Sequence, residues 1–441
     1  MDSSATPPKH TLNELKAMLS GAGFIFACRI AGAGLVFITQ VLLARWMGAE
    51  QLGIYVFAYS WCIVLAASAT LGLPGAAFRV ISESLIKKDY GLIRGFVHQS
   101  RFFSLAASLV LVAVTAAIVT STSLVPEEQQ TTVLVAMLWI PLFSLMQLQE
   151  NIAHAHSWFG LAFLPTTVSR PLLFLLIVAA TFFADQALSA ERVMAFQLGA
   201  MLLIAIIQTA LISRQLRKTT HQVAQRTDTA KWLHTALPLL LVGMYLGYFP
   251  EVSVIIASFF LPPAEIAIYN VDLRLTMLIS FGIFAIDGIN RPIIAQLYAR
   301  GNMAGVQKRI TQATHLMLWP SLLATVIFYF FGQEILLIFG DEFVAGHETL
   351  MLLCVCQVLI AFSGPSTSTL SATGHQQLCL RAFVVSFAAL IPLTAVLTPL
   401  YGAKGASVAL IITTLIWTLL LKYQLKKILN QEILSVKAAQ P

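Results

Sequence analysis

Gly21-Ala22-Gly23-Phe24-Ile25-Phe26-Ala27-Cys28-Arg29-Ile30-Ala31-Gly32-Ala33-Gly34-Leu35-Val36-Phe37-Ile38-Thr39-Gln40-Val41-Leu42-Leu43 carries a single charge, Arg29. A helix needs ~20 apolar residues to cross a bilayer, so this stretch reads as a spanning helix. Eleven similar runs follow, at roughly 53–75, 102–123, 131–149, 162–184, 193–213, 236–260, 266–289, 313–332, 349–371, 379–398 and 403–421. The connections between them are short and leave no room for an extramembrane catalytic domain.

Composition agrees with twelve spans. Of the 441 residues, 58% are hydrophobic and 11% charged, with a mean hydropathy of +0.81. Soluble domains are about 25% charged, so a cytosolic enzyme, a nucleic-acid binder and a disordered scaffold are excluded. Cys28, Cys62, Cys354, Cys356 and Cys379 all lie in or beside apolar runs and read as small buried hydrophobes. Cys354 and Cys356 point to different helix faces, a poor metal pair. The first run lacks a short apolar core with a cleavage site, so it is expected to be an uncleaved helix.

Basic residues orient the chain. With the N-terminus inside, 21 of the 27 Lys and Arg fall on the cytoplasmic side, among them Arg79, Lys87, Lys88, Arg94, Arg101, Arg217, Lys308 and Lys426. Arg45, Arg192 and Lys404 fall outside, and three lie within spans. Both termini are expected in the cytoplasm, and the net charge of +7 mostly records topology.

The external acidic loops Pro126-Glu127-Glu128 and Gly340-Asp341-Glu342 superpose at an offset of 214 residues. The same shift sets Leu52-Gly53-Ile54-Tyr55 on Ile266-Ala267-Ile268-Tyr269, and Gly91-Leu92-Ile93-Arg94 on Gly305-Val306-Gln307-Lys308. After a gap of three, Arg170 falls on Arg381. The spacing predicts a six-helix bundle over 1–217, a cytoplasmic linker over 218–233 and a second six-helix bundle over 234–441. An even number of spans per half makes the repeats parallel, and such transporters bind substrate between halves that alternate access.

Several segments resemble Wzx-type polysaccharide flippases. Leu43-Ala44-Arg45-Trp46-Met47-Gly48-Ala49-Glu50-Gln51-Leu52-Gly53-Ile54-Tyr55 is similar to the loop after their first helix, and Leu71-Gly72-Leu73-Pro74-Gly75-Ala76-Ala77-Phe78-Arg79 to the end of their second. Ile266-Ala267-Ile268-Tyr269 through Arg274, then Pro292-Ile293-Ile294-Ala295-Gln296-Leu297-Tyr298, is similar to their eighth helix and the loop beyond it. The resemblance implies the multidrug/oligosaccharidyl-lipid/polysaccharide exporter fold: an all-α integral membrane protein with two MATE-like bundles around a central cavity. It also implies a substrate, polyprenyl-diphosphate-linked oligosaccharide, moved across the bacterial inner membrane for surface polysaccharide biosynthesis. Membrane lipids and other polysaccharide-assembly proteins are the implied partners; nucleic acid is not.

Charges at mid-bilayer cost about 2.5–3.5 kcal/mol each and default to functional candidates. Arg29 and Arg170 each lie ~12 Å from the cytoplasmic ends of their helices, and Arg274 is similarly deep from the outside. Arginine binds phosphate bidentately and never deprotonates, so the three form a candidate cationic substrate path. Each has a structural alternative. Arg29 can snorkel to the headgroups, and Arg170, before Pro171, can satisfy carbonyls at a helix irregularity. Arg274 can pair with Glu251, which sits at matching depth in the preceding antiparallel helix. Asp272, two residues from Arg274, faces another way. Glu251 and Asp272 are candidates for coupling or gating, with protons or sodium as the coupling ion. No cofactor is implied.

Weaker signals complete the reading. Glu150 is expected at the interface, Asp287 and Arg291 to pair there, and Ser363–Thr369 to bend a helix. Gln40, Tyr55, Tyr59, Tyr245, Tyr248, Tyr269 and Asn270 are candidates for sugar contacts or for helix packing. His154 and His156 lack the further ligands a metal needs. Two other functions compete: a cation-coupled multidrug exporter of the same fold and a membrane polysaccharide polymerase or ligase. The first expects acids inside the N-terminal bundle, yet Glu50, Glu83 and Asp89, the acids between Glu14 and Glu127, all fall in loops. The second expects a large external loop and a nucleophile–base pair, and neither is visible.

Overall fold

A computed structural model describes residues 9–122, 125–184, 187–220 and 223–438. Side chains of 9–22, 219–220, 238, 241–243, 245–246 and 431–438 lie outside the description, and Tyr245 with them. The described residues are almost wholly helical. Among the described residues, nine stretches are long and apolar enough to cross a membrane, where the sequence predicts twelve. Much of the difference lies at glycines. Helix α1 (Lys9–Ala69) passes through Gly48 at φ 74°, ψ 169°, a non-helical conformation. At ~1.5 Å per residue, 61 helical residues far exceed a ~30 Å hydrocarbon core, so Gly48 divides α1 into separate legs.

Connections follow local chemistry. Thr70–Gly72 form a turn, with Leu71 and Gly72 both at positive φ, before α2 (Leu73–Ile86). Asp89 caps α3 (Tyr90–Ser121), its side chain accepting from Leu92 N at 3.1 Å. Helices α4 (Glu127–Met137) and α5 (Trp139–Ala155) join at Leu138. After the short α6 (Phe159–Phe163), a π-helical segment covers Leu164–Ser169 and leads into α7 (Arg170–Phe183). Then come α8 (Ala190–Thr220), α9 (Thr229–Ala257) and α10 (Pro263–Ala299). Asn302 caps α11 (Met303–Leu337) as Asp89 caps α3, accepting from Gly305 N at 2.8 Å. A 3-10 turn (Asp341–Gly346) precedes α12 (His347–Ser363), α13 (Ser366–Ala372) and α14 (Gln376–Ala438), the last broken by Gly402 at φ 61°.

Two compact units emerge. The first holds Met1–Met47 and Trp61–Tyr248; the second holds Gly48–Ser60 and Phe249–Pro441. In the first, Ile93, Phe96, Leu148, Ile152 and Trp232 share a core, with the Phe96 and Trp232 rings edge to face at 5.2 Å. The start of α9 thus packs within this unit. Segment 223–228 is docked there too: Arg226 N bonds Gly91 O at 3.1 Å, and its guanidinium meets Asp89 at 2.9 Å.

In the second unit, Ile294, Val306, Leu370, Leu421 and Leu425 form a core. Segment 48–60 belongs here because Gly53 lies against the backbone of Pro263, whose carbonyl oxygen would be 1.7 Å from a Cβ at 53. Ala49 N also donates to Glu342 at 2.8 Å, so a carboxylate satisfies an orphan N–H where the second leg of α1 begins. Large apolar side chains such as Phe26, Leu109, Trp319 and Phe330 are exposed. That is ordinary for helices solvated by lipid, which pack through small and hydroxyl residues, as Ser108 and Ser144 do at 2.7 Å.

Candidate functional site

In the first unit, Gly32 lies one turn beyond Arg29. A Cβ there would sit 2.4 Å from Thr167 O, so α1 can approach the π-helical segment closely only through glycine. That approach brings Arg29 beside α6 and the start of α7. Its guanidinium carbon lies 5.8 Å from the Phe163 ring centroid, and that of Arg170 lies 5.9 Å from Trp139, both cation–π distances. Both arginines interact electrostatically with Glu150 on α5, which Thr166 of the π-helical segment also contacts. Arg29 is exposed and Arg170 half-buried. Two guanidiniums around one carboxylate carry a net positive charge, suited to an anion.

Glu150, expected from sequence as an interfacial acid, is mostly buried and lies within electrostatic range of both N-terminal arginines. The helix irregularity expected before Pro171 is present as the π-helical segment Leu164–Ser169, a distortion common at functional sites.

In the second unit, Arg274 Nη2 bonds Glu251 Oε1 at 2.9 Å, with the side chains 27% and 6% exposed. Of the two alternatives for Arg274, the ion pair is thus formed. Tyr55 and Tyr59 of the same unit stack at 5.9 Å between ring centroids. Asp272 faces away, as its two-residue spacing requires. It is 0% exposed, and among the described residues neither carboxylate oxygen has a hydrogen-bond partner. It lies against Gly346, where a Cβ would be 2.7 Å from Oδ2.

The remaining candidates take structural places. Tyr269 is fully buried and bonds Ser253 at 2.7 Å; Tyr248 bonds Gln147. Asp287 and Arg291 pair at 3.3 Å, and Ser368 donates to Asp287 at 2.5 Å. Gly364 at φ 63° breaks the chain between α12 and α13, while Ser366 and Thr369 bond carbonyls at the bend. His154 packs on Phe78 and Phe163, each 5.2 Å away. Burial lowers the pKa of His156, opposed by its contact with Ile152 O at 2.8 Å. The described residues hold no group of three metal-ligating side chains.

Known proteins resemble this chain in sequence and in fold. The sequence matches the family described as polysaccharide biosynthesis protein over residues 18–298 and the MatE family over 238–397. A curated relative from Haloferax volcanii, named "Probable low-salt glycan biosynthesis flippase", is 22% identical over 87% of this chain and 78% of its own. A multidrug resistance MATE family transporter of the MOP superfamily, solved in an inward-facing conformation, superposes with a TM-score of 0.70 at 15% identity, covering 93% of this chain and 96% of that one. A MOP superfamily transporter from Pyrococcus furiosus, described as having a binding pocket of reversed polarity, gives 0.62 at 14% identity over 92% and 94%. The chain has the fold of these multi-pass membrane transporters. With more than half of its length matched, it belongs to the polysaccharide biosynthesis protein family.

Proposed function

We propose that this protein translocates polyprenyl-diphosphate-linked oligosaccharide across the bacterial inner membrane by alternating access, for surface polysaccharide assembly. The observation that carries the reading is the pair of arginines in the first unit, Arg29 against Phe163 and Arg170 against Trp139, both within electrostatic range of Glu150. A transported diphosphate needs fixed positive charge to leave the interface, and a doubly cationic cluster with one internal carboxylate supplies it. The match to a glycan flippase supports the same substrate class. Twelve spans, bundles over 1–217 and 234–441, a cytoplasmic linker over 218–233 and cytoplasmic termini complete the proposal. Other polysaccharide-assembly proteins are its proposed partners.

A multidrug exporter of the same fold is the weaker reading. It needs an acid open to cationic drugs, whereas Glu150 is a mostly buried carboxyl in the same neighbourhood as the positive charges of Arg29 and Arg170. For coupling, Asp272 is the better candidate: Glu251 is held by Arg274, while Asp272 accepts no hydrogen bond among the described residues.

Gene replacement tests the function. Arg29→Gln and Arg170→Gln, at wild-type abundance, are expected to lower surface polysaccharide at least tenfold and to accumulate the lipid-linked intermediate facing the cytoplasm. Normal export by both variants would overturn the substrate role. Asp272→Asn is expected to leave abundance intact and remove the dependence of export on a cation gradient.

A further inference from the structure

We propose that each compact unit binds the phosphate head group of an anionic phospholipid in a pocket at the basic end of its helices, apart from the arginines discussed above. In the first unit a cavity of about 540 Å³ opens between α3 and α8. Arg94, His98 and Arg101 project from one face of α3 at spacings of four and three residues, while Ser213 and Arg217 line α8. Among the described residues no carboxylate lines it. Arg101 is held in place: it donates to Ser213 at 3.1 Å and to Gln149 at 2.9 Å. Its buried Nε has no hydrogen-bond partner among the described residues. Arg94 donates to Val223 O at 2.9 Å, so part of the cluster is fixed before any ligand arrives.

The second unit repeats the arrangement. A cavity of about 410 Å³ between α11 and α14 is lined by Thr311, His315, Lys422 and Lys426, again without a carboxylate among the described side chains. His315 stands 214 residues beyond Arg101, the offset of the repeat. Leu425-Lys426 reproduces Leu216-Arg217 on the facing helix. Lys422 lies over the Phe362 ring with Nζ 3.2 Å from the centroid, which orients its charge.

A free anion would need only the charges; a lipid also needs a path for its chains. Beyond each pocket, exposed apolar side chains continue up the helix: Phe102, Leu105 and Leu109 on α3, and Leu316, Trp319 and Leu323 on α11. Basic pockets between spanning helices on the cytoplasmic side are the kind that hold cardiolipin head groups, and both pockets lie on that side in the proposed topology. A phosphodiester in the pocket with acyl chains along this stripe uses both features.

Native mass spectrometry of the purified full chain tests this with phosphatidylglycerol, phosphatidylcholine and inorganic phosphate as separate probes. The wild type is expected to retain two phosphatidylglycerol molecules and no phosphatidylcholine. Arg94→Gln with Arg217→Gln, both at exposed positions, is expected to remove one molecule and weaken binding about fivefold per cation lost. Lys426→Gln is expected to weaken the other site by the same factor. Equal retention of phosphatidylcholine, unchanged binding by the variants, or displacement of the lipid by equimolar inorganic phosphate would each overturn the proposal. No glycolipid enters the assay, so its outcome is independent of the proposed transport function.

Discussion

Arg274 shows how far a single residue can be read. Its depth and that of Glu251 match in neighbouring antiparallel helices, and the two meet at 2.9 Å. Replacing Arg274 with Leu leaves a buried carboxylate without its counter-charge, which costs about 3–5 kcal/mol. A lowered thermal unfolding midpoint in detergent is expected, with most of the loss recovered by combining Arg274→Gln with Glu251→Gln. Wild-type stability of the single variant would remove the pair's structural role. Glu150 illustrates the opposite case. Near a helix end it reads as an interfacial acid, because nothing in its local sequence announces Arg29 or Arg170. The signal available was only that Glu150 follows the predicted span 131–149 on the same cytoplasmic side from which Arg29 and Arg170 are measured.

Among the elements, close approach at glycine decides the packing. Gly53 rests against the Pro263 carbonyl, so Gly53→Ala must move backbone. It is expected to destabilise by at least about 1–3 kcal/mol. Gly199 in α8 has nothing within 4 Å of an added Cβ, and Gly199→Ala should be neutral or stabilising by up to ~1 kcal/mol. Thermal melts of the two variants compare a packed glycine with an unpacked one; equal midpoints would mean that the 48–60 leg does not depend on Pro263. Asp89 and Asn302 cap their helices through local bonds, but neither is singled out as a cap in the sequence reading. The π-helical segment was legible only as some irregularity near Pro171, since its length depends on how Thr166 and Thr167 meet Glu150 and Gly32.

For the whole molecule, charge asymmetry yields a topology that can be measured. With Cys379 replaced by Ser and the four buried cysteines retained, Glu128→Cys is expected to react with a membrane-impermeant maleimide in intact cells. Lys88→Cys should react only after permeabilisation. The reverse pattern would invert the proposed orientation. Compactness follows other rules than the repeat. The described units exchange 48–60 into the second and the start of α9 into the first. A division at 234 follows duplication in sequence, while the units follow contacts such as Gly53 with Pro263 and Phe96 with Trp232.

By itself the sequence determined that this chain is a helical, multi-pass membrane protein, because apolar length and basic asymmetry are one-dimensional properties that the bilayer reads directly. It also raised the expectation of a repeat and of charges within the spans, since such residues are costly in lipid. Only the tertiary structure decided which charges meet. Arg29 comes against Phe163, within electrostatic range of Glu150, where Gly32 admits Thr167. Arg274 is held by Glu251, and Asp272 is left without a hydrogen-bond partner among the described residues. Those outcomes depend on how closely backbones approach across helices far apart in sequence, which hydropathy and spacing do not encode.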